Sequence, residues 1–314
     1  MRTGKDFIEM SRTGFYDREN LCQYYFDKLG CIYHLCTPEN HPLIFRCDDE
    51  FKIGMNLLGI ATKAHPRVRI MTFELMSNHI HQITIGRRED IESFFTSLKR
   101  LISRCLPEAE LSGFNMHLHE IKTLENLRNA IAYTNRNGSI IDPDVCPYTY
   151  QWGANRYYFN PEAKARYEGL KRKATTRQIR DFSQSRKYDE IKDLYIVDGY
   201  ISPMSFCAID EGESLFRDAR HYFTKVSRHI ESYDEIARMI GEQIYYTDDD
   251  LFSVACTIAA KQYDCKIPSQ LPRNQKIELA KVLHTKYNAR TKQLQRMLKI
   301  DQDILTALFG KSTK

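Results

Sequence analysis

Two histidines, His79 and His81, stand one residue apart in "MSNHIHQI" (76–83), inside a stretch that otherwise reads as a β-strand. Strand side chains alternate between faces, so residues i and i+2 project together. The two imidazoles are set side by side, and neutral imidazole is a good ligand for divalent metals. His117 and His119 in "HLH" repeat the spacing and could join them in a four-histidine site. Further on, Tyr133 and Asn137 lie four residues apart in "YTNRNG" (133–138), on an expected helix over 123–138. Four helical residues make just over one turn, so both side chains share a face. Tyr133 offers a phenolic oxygen as nucleophile and Asn137 an amide oxygen as metal ligand. A phenol with a pKa of about 10 is a weak nucleophile at neutral pH. A bound divalent ion can supply the missing activation. The chemistry indicated is metal-assisted nucleophilic attack by tyrosine.

Strands and helices must hold these residues. "CIYHLCT" (31–37) alternates as a strand, and "DDEFKIGMNLLGIATKAH" (48–65) has an Asp cap and apolar residues at helical spacing. "RVRIMTFELM" (67–76) and "HIHQITIG" (79–86) form a hairpin around Ser77-Asn78. "REDIESFFTSLKRLISRCL" (88–106) is an amphipathic helix, and "FNMHLHEI" (114–121) alternates again. The last helix, "TLENLRNAIAYTNRNG", starts at a Thr cap with Glu125 at N3 and ends at a glycine. The order β-α-β-β-α-β-α predicts an α+β fold, a ferredoxin-like split βαβ with an antiparallel sheet and helices on one face. It occupies 28–150, after a lead-in over 1–27. An aromatic and basic connecting segment covers 151–190, and a helical region covers 191–314. Within the latter, three short helices over 273–288, 289–298 and 301–310 suggest a helix-turn-helix.

Composition narrows the class. The 314 residues are 42% hydrophobic, enough for real cores. No apolar run nears the roughly 18 residues of a membrane span, and "MRTGKDFIEMSRTG" has no signal-peptide apolar region. Nine cysteines without a CxxC pair argue against a disulfide framework or a zinc ribbon, and for a cytoplasmic protein. The net charge of +5 is uneven: "KARYEGLKRKATTRQIRDFSQSRK" (164–187) is dense in Lys and Arg. Lys171, Arg172, Lys173, Arg177 and Arg180 form either a solvated, salt-laced face or a phosphate-contacting one. Arg290, Lys292 and Arg296 suit phosphate contact in the C-terminal tail, whereas the final helix opens on acids, Asp301 and Asp303. The aromatic stretch over 148–159 suits core packing or base stacking.

Taken together, the motifs resemble the HUH single-tyrosine transposases, in particular the REP-associated tyrosine transposases. "MSNHIHQI" fits that family's "MPNHVHLL" segment, and "YTNRNG" fits its "YIHLNP". "DPDVCPYTYQW" (142–152) echoes its "DPxDYPWSSY". The resemblance covers 30–152. It implies a metal-dependent endonuclease and strand transferase for single-stranded or hairpin DNA, working through a 5′-phosphotyrosine. Matched by position, Tyr133 is the nucleophile, and His79, His81 and Asn137 are ligands of Mg²⁺ or Mn²⁺. Gly138 stands where the family has proline, a departure that loosens the placement of Asn137. Monomer and homodimer are both open. The alternative is a catalytically silent DNA-binding regulator derived from such an enzyme, and a third reading is a metal-dependent hydrolase using both histidine pairs.

Overall fold

A computed structural model of the chain describes residues 17–38, 41–136, 147–227, 248–265, 267–287 and 289–310. Of these, residues up to 227 belong to one compact unit and those from 248 onward to a second.

In the first unit, helix α1 (Arg18–Asp27) precedes β1 (Ile32–Cys36), α2 (Asp48–Ala64), β2 (Arg69–Leu75), β3 (Ile80–Ile85), α3 (Arg88–Cys105), β4 (His117–Glu120) and α4 (Leu124–Thr134). The strands pair antiparallel in the order β2-β3-β1-β4, the arrangement expected of a ferredoxin-like split βαβ. The β2–β3 turn closes where expected, with Met76 N–H donating to His79 O at 2.9 Å. Every residue of β3 is buried, so both faces of the sheet need cover. Leu75 approaches Gly54 of α2, which places α2 on the face opposite His81. Helix α3 packs beside α2 through Ile91, Phe94, Phe95, Leu98, Leu101 and Ile102. Helix α2 begins at Asp48 with Cys47, not an aspartate, as its N-cap residue. Its Asp48, Asp49 and Glu50 instead fill the first turn, where they favour the positive end of the helix dipole. Helix α4 covers the opposite, histidine-bearing face.

Residues 147–227 wrap the same core. Trp152 stacks on Phe51 with centroids 5.1 Å apart, and the buried Tyr158 donates its hydroxyl to Met71 O at 3.0 Å. The core reading of the aromatic stretch accounts for these rings. Helices α5 (Pro161–Leu170), α6 (Thr176–Ser183), α7 (Ile209–Ser214) and α8 (Ala219–Val226) alternate with a small sheet of β5 (Arg172–Lys173), β6 (Tyr195–Val197) and β7 (Tyr200–Ile201). That sheet is absent from the sequence reading. Its signal was Asp198-Gly199, with φ of 55° and 88°, a dipeptide that favours a tight hairpin. Strand β7 is fastened to α2, where Asn56 Oδ1 accepts from Ile201 N–H at 2.8 Å. Gly59 permits the approach, because a Cβ there would stand 2.7 Å from Ile201.

The second unit contains α9 (Asp248–Tyr263), α10 (Arg273–Tyr287), α11 (Thr291–Leu298) and α12 (Gln302–Phe309). The last three fall where the sequence placed helices. Leu279, Leu283, Leu294, Leu298 and Leu305 are buried, and Lys299 makes the turn between α11 and α12 at φ 51°. No described helix is long and apolar enough to cross a membrane.

Candidate functional site

The register of the sheet assembles the site. His81 on β3 lies opposite Glu74 on β2 and Cys36 on β1, and Cys36 lies opposite His117 on β4. One step along, Thr72, Ile83, His34 and His119 form a second row. Partners in a strand pair point to the same side, so all eight share the face on which α4 lies. His79 sits just before β3, two residues from His81.

Helix α4 brings Tyr133 to this face. Thr123 caps it by accepting from Asn126 N–H at 3.2 Å. Asn126 therefore occupies N3, and Glu125 is one position earlier than expected, pairing instead with the buried Lys225 at 2.5 Å. The Tyr133 ring meets the imidazole of His81 edge-on at 5.6 Å and that of His34 at 6.0 Å. His79 and His81 are 4.8 Å apart, centre to centre, and nearly perpendicular. His34 and His81 are fully buried, Tyr133 is 1% exposed and His79 4%.

The helix ends earlier than expected, at Thr134 and not at Gly138. Asn135, fully buried, is its C-cap residue. Its carboxamide accepts from the Thr72 hydroxyl on β2 and donates to Tyr222 Oη at 2.7 Å. Tyr222 in turn donates to Asn155 at 2.5 Å, and Asn155 donates back to Asn135 O at 2.7 Å. These bonds tie the end of α4 to β2 and α8. Asn137, with the "DPDVC" segment that follows it, lies outside the described residues, so its i,i+4 placement beside Tyr133 has no structural reading.

Each histidine of the pair has a polar partner at Nδ1. His79 Nδ1 is 2.8 Å from Asn78 Oδ1, an acceptor, so Nδ1 carries the proton. His81 Nδ1 faces His34 Nε2 at 3.4 Å. With Nδ1 the donor on His79, its Nε2 is the nitrogen that carries the lone pair, whereas the proton shared by His81 and His34 can sit on either ring. Two imidazole nitrogens, an amide oxygen, a phosphate oxygen and water make a chemically reasonable shell for Mn²⁺ or Mg²⁺. Of that set the described residues supply the two imidazoles. No group of three or more His, Cys, Asp or Glu side chains among the described residues is placed to share one ion. His117 and His119 share the sheet face but stand on the edge strand, one exposed and one half-buried.

His34, Glu74 and Asn78 were missed in the sequence. His34 sits at an inward position of "CIYHLCT", a signal visible only once the register is known. Of the tyrosines in the aromatic segment that follows α4, Tyr150 donates its hydroxyl to Leu75 O at 2.6 Å. Burial, and then the nearby Glu74 carboxylate, push its phenol far up. Tyr148 is half-buried, with its hydroxyl 3.3 Å from that of Ser227.

The basic candidates are dispersed. Lys171 pairs with Glu168 at 2.6 Å, Lys173 with Asp193 at 2.9 Å, Arg180 with Asp189 at 2.5 Å, and Arg177 lies 3.8 Å from Asp181. Arg172 is exposed on β5. This is the salt-laced face that was one of the two readings of the run. In the second unit Arg290, Lys292 and Arg296 are exposed on and just before α11, while α12 exposes Asp303, Ala307 and Leu308. No protein-family model, curated protein or solved structure matches the chain.

Proposed function

We propose that the first unit is a metal-dependent endonuclease and strand transferase for single-stranded or hairpin DNA, with Tyr133 as nucleophile, acting in DNA transposition or repeat-element processing in the cytoplasm. The observation that carries this reading is the docking of α4 on the histidine face, with Tyr133 against His81 at 5.6 Å. A tyrosine, two histidines with Nδ1 engaged and a polar helix anchor meet at one buried point, although they come from separate elements.

Tyr133 Oη attacks the phosphorus, and the bond from phosphorus to the 3′-oxygen breaks. The products are a 5′-phosphotyrosine and a 3′-hydroxyl, and the proton lost by the phenol is balanced by the one the 3′-oxygen gains. The covalent link keeps the phosphodiester energy, so another 3′-hydroxyl can displace the tyrosine and reseal DNA without ATP. Held by His79 and His81, with Asn137 on the family resemblance, Mg²⁺ or Mn²⁺ would neutralise phosphate charge and polarise the P–O bond. Buried hydrogen bonds at Asn135 hold the helix that carries the nucleophile, which favours in-line geometry by lowering the entropy of approach.

The burial of Tyr133 favours a second reading, a catalytically silent DNA-binding regulator, because a phosphate must gain entry before chemistry can occur. Incubation with 3′-labelled hairpin oligonucleotides and Mn²⁺, followed by a denaturing gel, separates the two. Labelled protein supports the enzyme. DNA retention without labelled protein supports the regulator. The second unit, by this reading, adds affinity through Arg290, Lys292 and Arg296 and reads bases weakly, since α12 opens on Asp301 and Asp303. Sedimentation with and without DNA decides between monomer and homodimer.

A further inference from the structure

We infer that His34 and Asn78 are positioning residues that set the tautomers of His81 and His79, so that both Nε2 atoms face a metal; the inference rests on the proposed metal-dependent reading. The geometry is specific. His34 and His81 lie nearly parallel, 17° apart in plane, but their ring centres stand 5.5 Å apart while the facing nitrogens are 3.4 Å apart. Rings stacked face to face would have centres about as close as their nearest atoms. The two imidazoles therefore meet edge to edge, nitrogen to nitrogen, as an in-plane hydrogen bond requires.

An imidazole pair can share its proton in either sense. If His34 Nε2 donates, His81 carries no proton on Nδ1 and its own proton sits on Nε2, where it blocks a metal. If His81 Nδ1 donates, Nε2 keeps its lone pair. The second state is the one the inference takes: it gives His81 the same tautomer that Asn78 Oδ1, an acceptor, imposes on the adjacent His79. Two adjacent rings held in one tautomer by different partners are what a shared ion needs, since a ligating histidine is oriented by the bond its other nitrogen makes. His34 contributes this from β1, a different strand from the pair it serves. Its cross-strand neighbour His119 stands at the sheet edge and is half-buried, so His34 is the buried histidine of that row.

The test uses the full chain, Mn²⁺ alone as probe, and ¹⁵N-labelled histidine. In the metal-free parent, long-range ring spectra should show both His79 and His81 protonated at Nδ1. In His34→Leu, His81 should shift toward the Nε2–H form, and Mn²⁺ affinity by calorimetry should fall by about 10- to 100-fold. His34→Gln, which restores an acceptor, should recover most of the affinity. Asn78→Ala should move His79 in the same way, and Asn78→Asp should not. A parent spectrum with His81 protonated at Nε2 overturns the inference with no variant needed, which covers the case in which His34→Leu does not fold. Unchanged Mn²⁺ affinity in folded His34→Leu also overturns it, and leaves the enzyme reading intact if the parent forms the DNA adduct. A parent that binds no Mn²⁺ brings down both.

Discussion

Tyr133→Phe removes one oxygen from the centre of the proposed site and little else. The ring is 1% exposed and meets His81 at 5.6 Å and His34 at 6.0 Å, contacts that phenylalanine keeps. Loss of a buried hydroxyl costs about 0–1.5 kcal/mol. For a unit of this size that corresponds to a melting shift of no more than about 6 °C. Tyr133→Ala, by contrast, would empty a ring-sized space at about 3–5 kcal/mol and would confuse loss of chemistry with loss of fold. Phenylalanine cannot form a bond to phosphorus, so adduct formation should fall by more than about 10³-fold, in the range of nucleophile deletions. DNA affinity should change by less than about threefold, because most of it comes from cationic contacts along the phosphate backbone and one uncharged hydroxyl carries little.

The assay needs the label on the correct side. A 5′-phosphotyrosine retains the DNA downstream of the cut, so a 3′-labelled oligonucleotide marks the protein and a 5′-labelled one does not. Parent protein should carry the 3′ label after denaturation, and Tyr133→Phe should carry none. If the folded Phe variant becomes labelled at the parental rate, Tyr133 is not the nucleophile. Tyr148 is then the next to substitute, since burial and the hydrogen bond to Leu75 O keep Tyr150 protonated.

Other outcomes follow from the same contacts. Asn135→Ala leaves the Thr72 hydroxyl without its acceptor and Tyr222 without a donor to it; urea unfolding should show a loss of about 1–3 kcal/mol, and an unchanged midpoint would mean the network does not hold α4. Arg128 is 3% exposed and bonds Glu19, holding that carboxyl below its ordinary pKa through the hydrogen bond. A depressed carboxylate stabilises above its unfolded pKa and loses the effect as pH falls through the folded one. Glu19→Gln should therefore cost about 1 kcal/mol at pH 7, discounted for the half-exposed carboxylate. The gap to the parent should close in thermal melts below about pH 4. Replacing Arg290, Lys292 and Arg296 together with alanine should lower the slope of log affinity against log salt by about 2 on single strands while adduct formation persists; an unchanged slope assigns the second unit a purely structural part.

Much of the arrangement was legible because it is local. Alternation in "RIMTFEL" and "IHQITI", the two-residue spacing of His79 and His81, the Thr123 cap and the apolar stripe of α3 are short-range patterns, and the elements formed where those patterns lay. The three C-terminal helices were legible for the same reason. Short motifs failed where a tertiary bond competed with local propensity. Helix α4 was expected to run to a glycine, but it stops at Thr134, where the Asn135 side chain bonds Thr72 and Tyr222 and its carbonyl accepts from Asn155. The β5-β6-β7 sheet escaped because strands of two or three residues carry almost no periodicity, although Asp198-Gly199 marked its turn.

The sequence by itself determined which groups are present and how neighbours in the chain are aimed: two imidazoles on one side of a strand, a tyrosine on an amphipathic helix, a βαββαβ order that admits few topologies. Only the tertiary structure decided that His34 joins them, that Glu74 and Cys36 flank His81, and that Lys173 and Arg180 pair with Asp193 and Asp189. The physical reason is that hydrogen-bond register and ion pairing join residues distant in the chain. A strand's own pattern says which face a side chain takes, and nothing about which strand lies beside it.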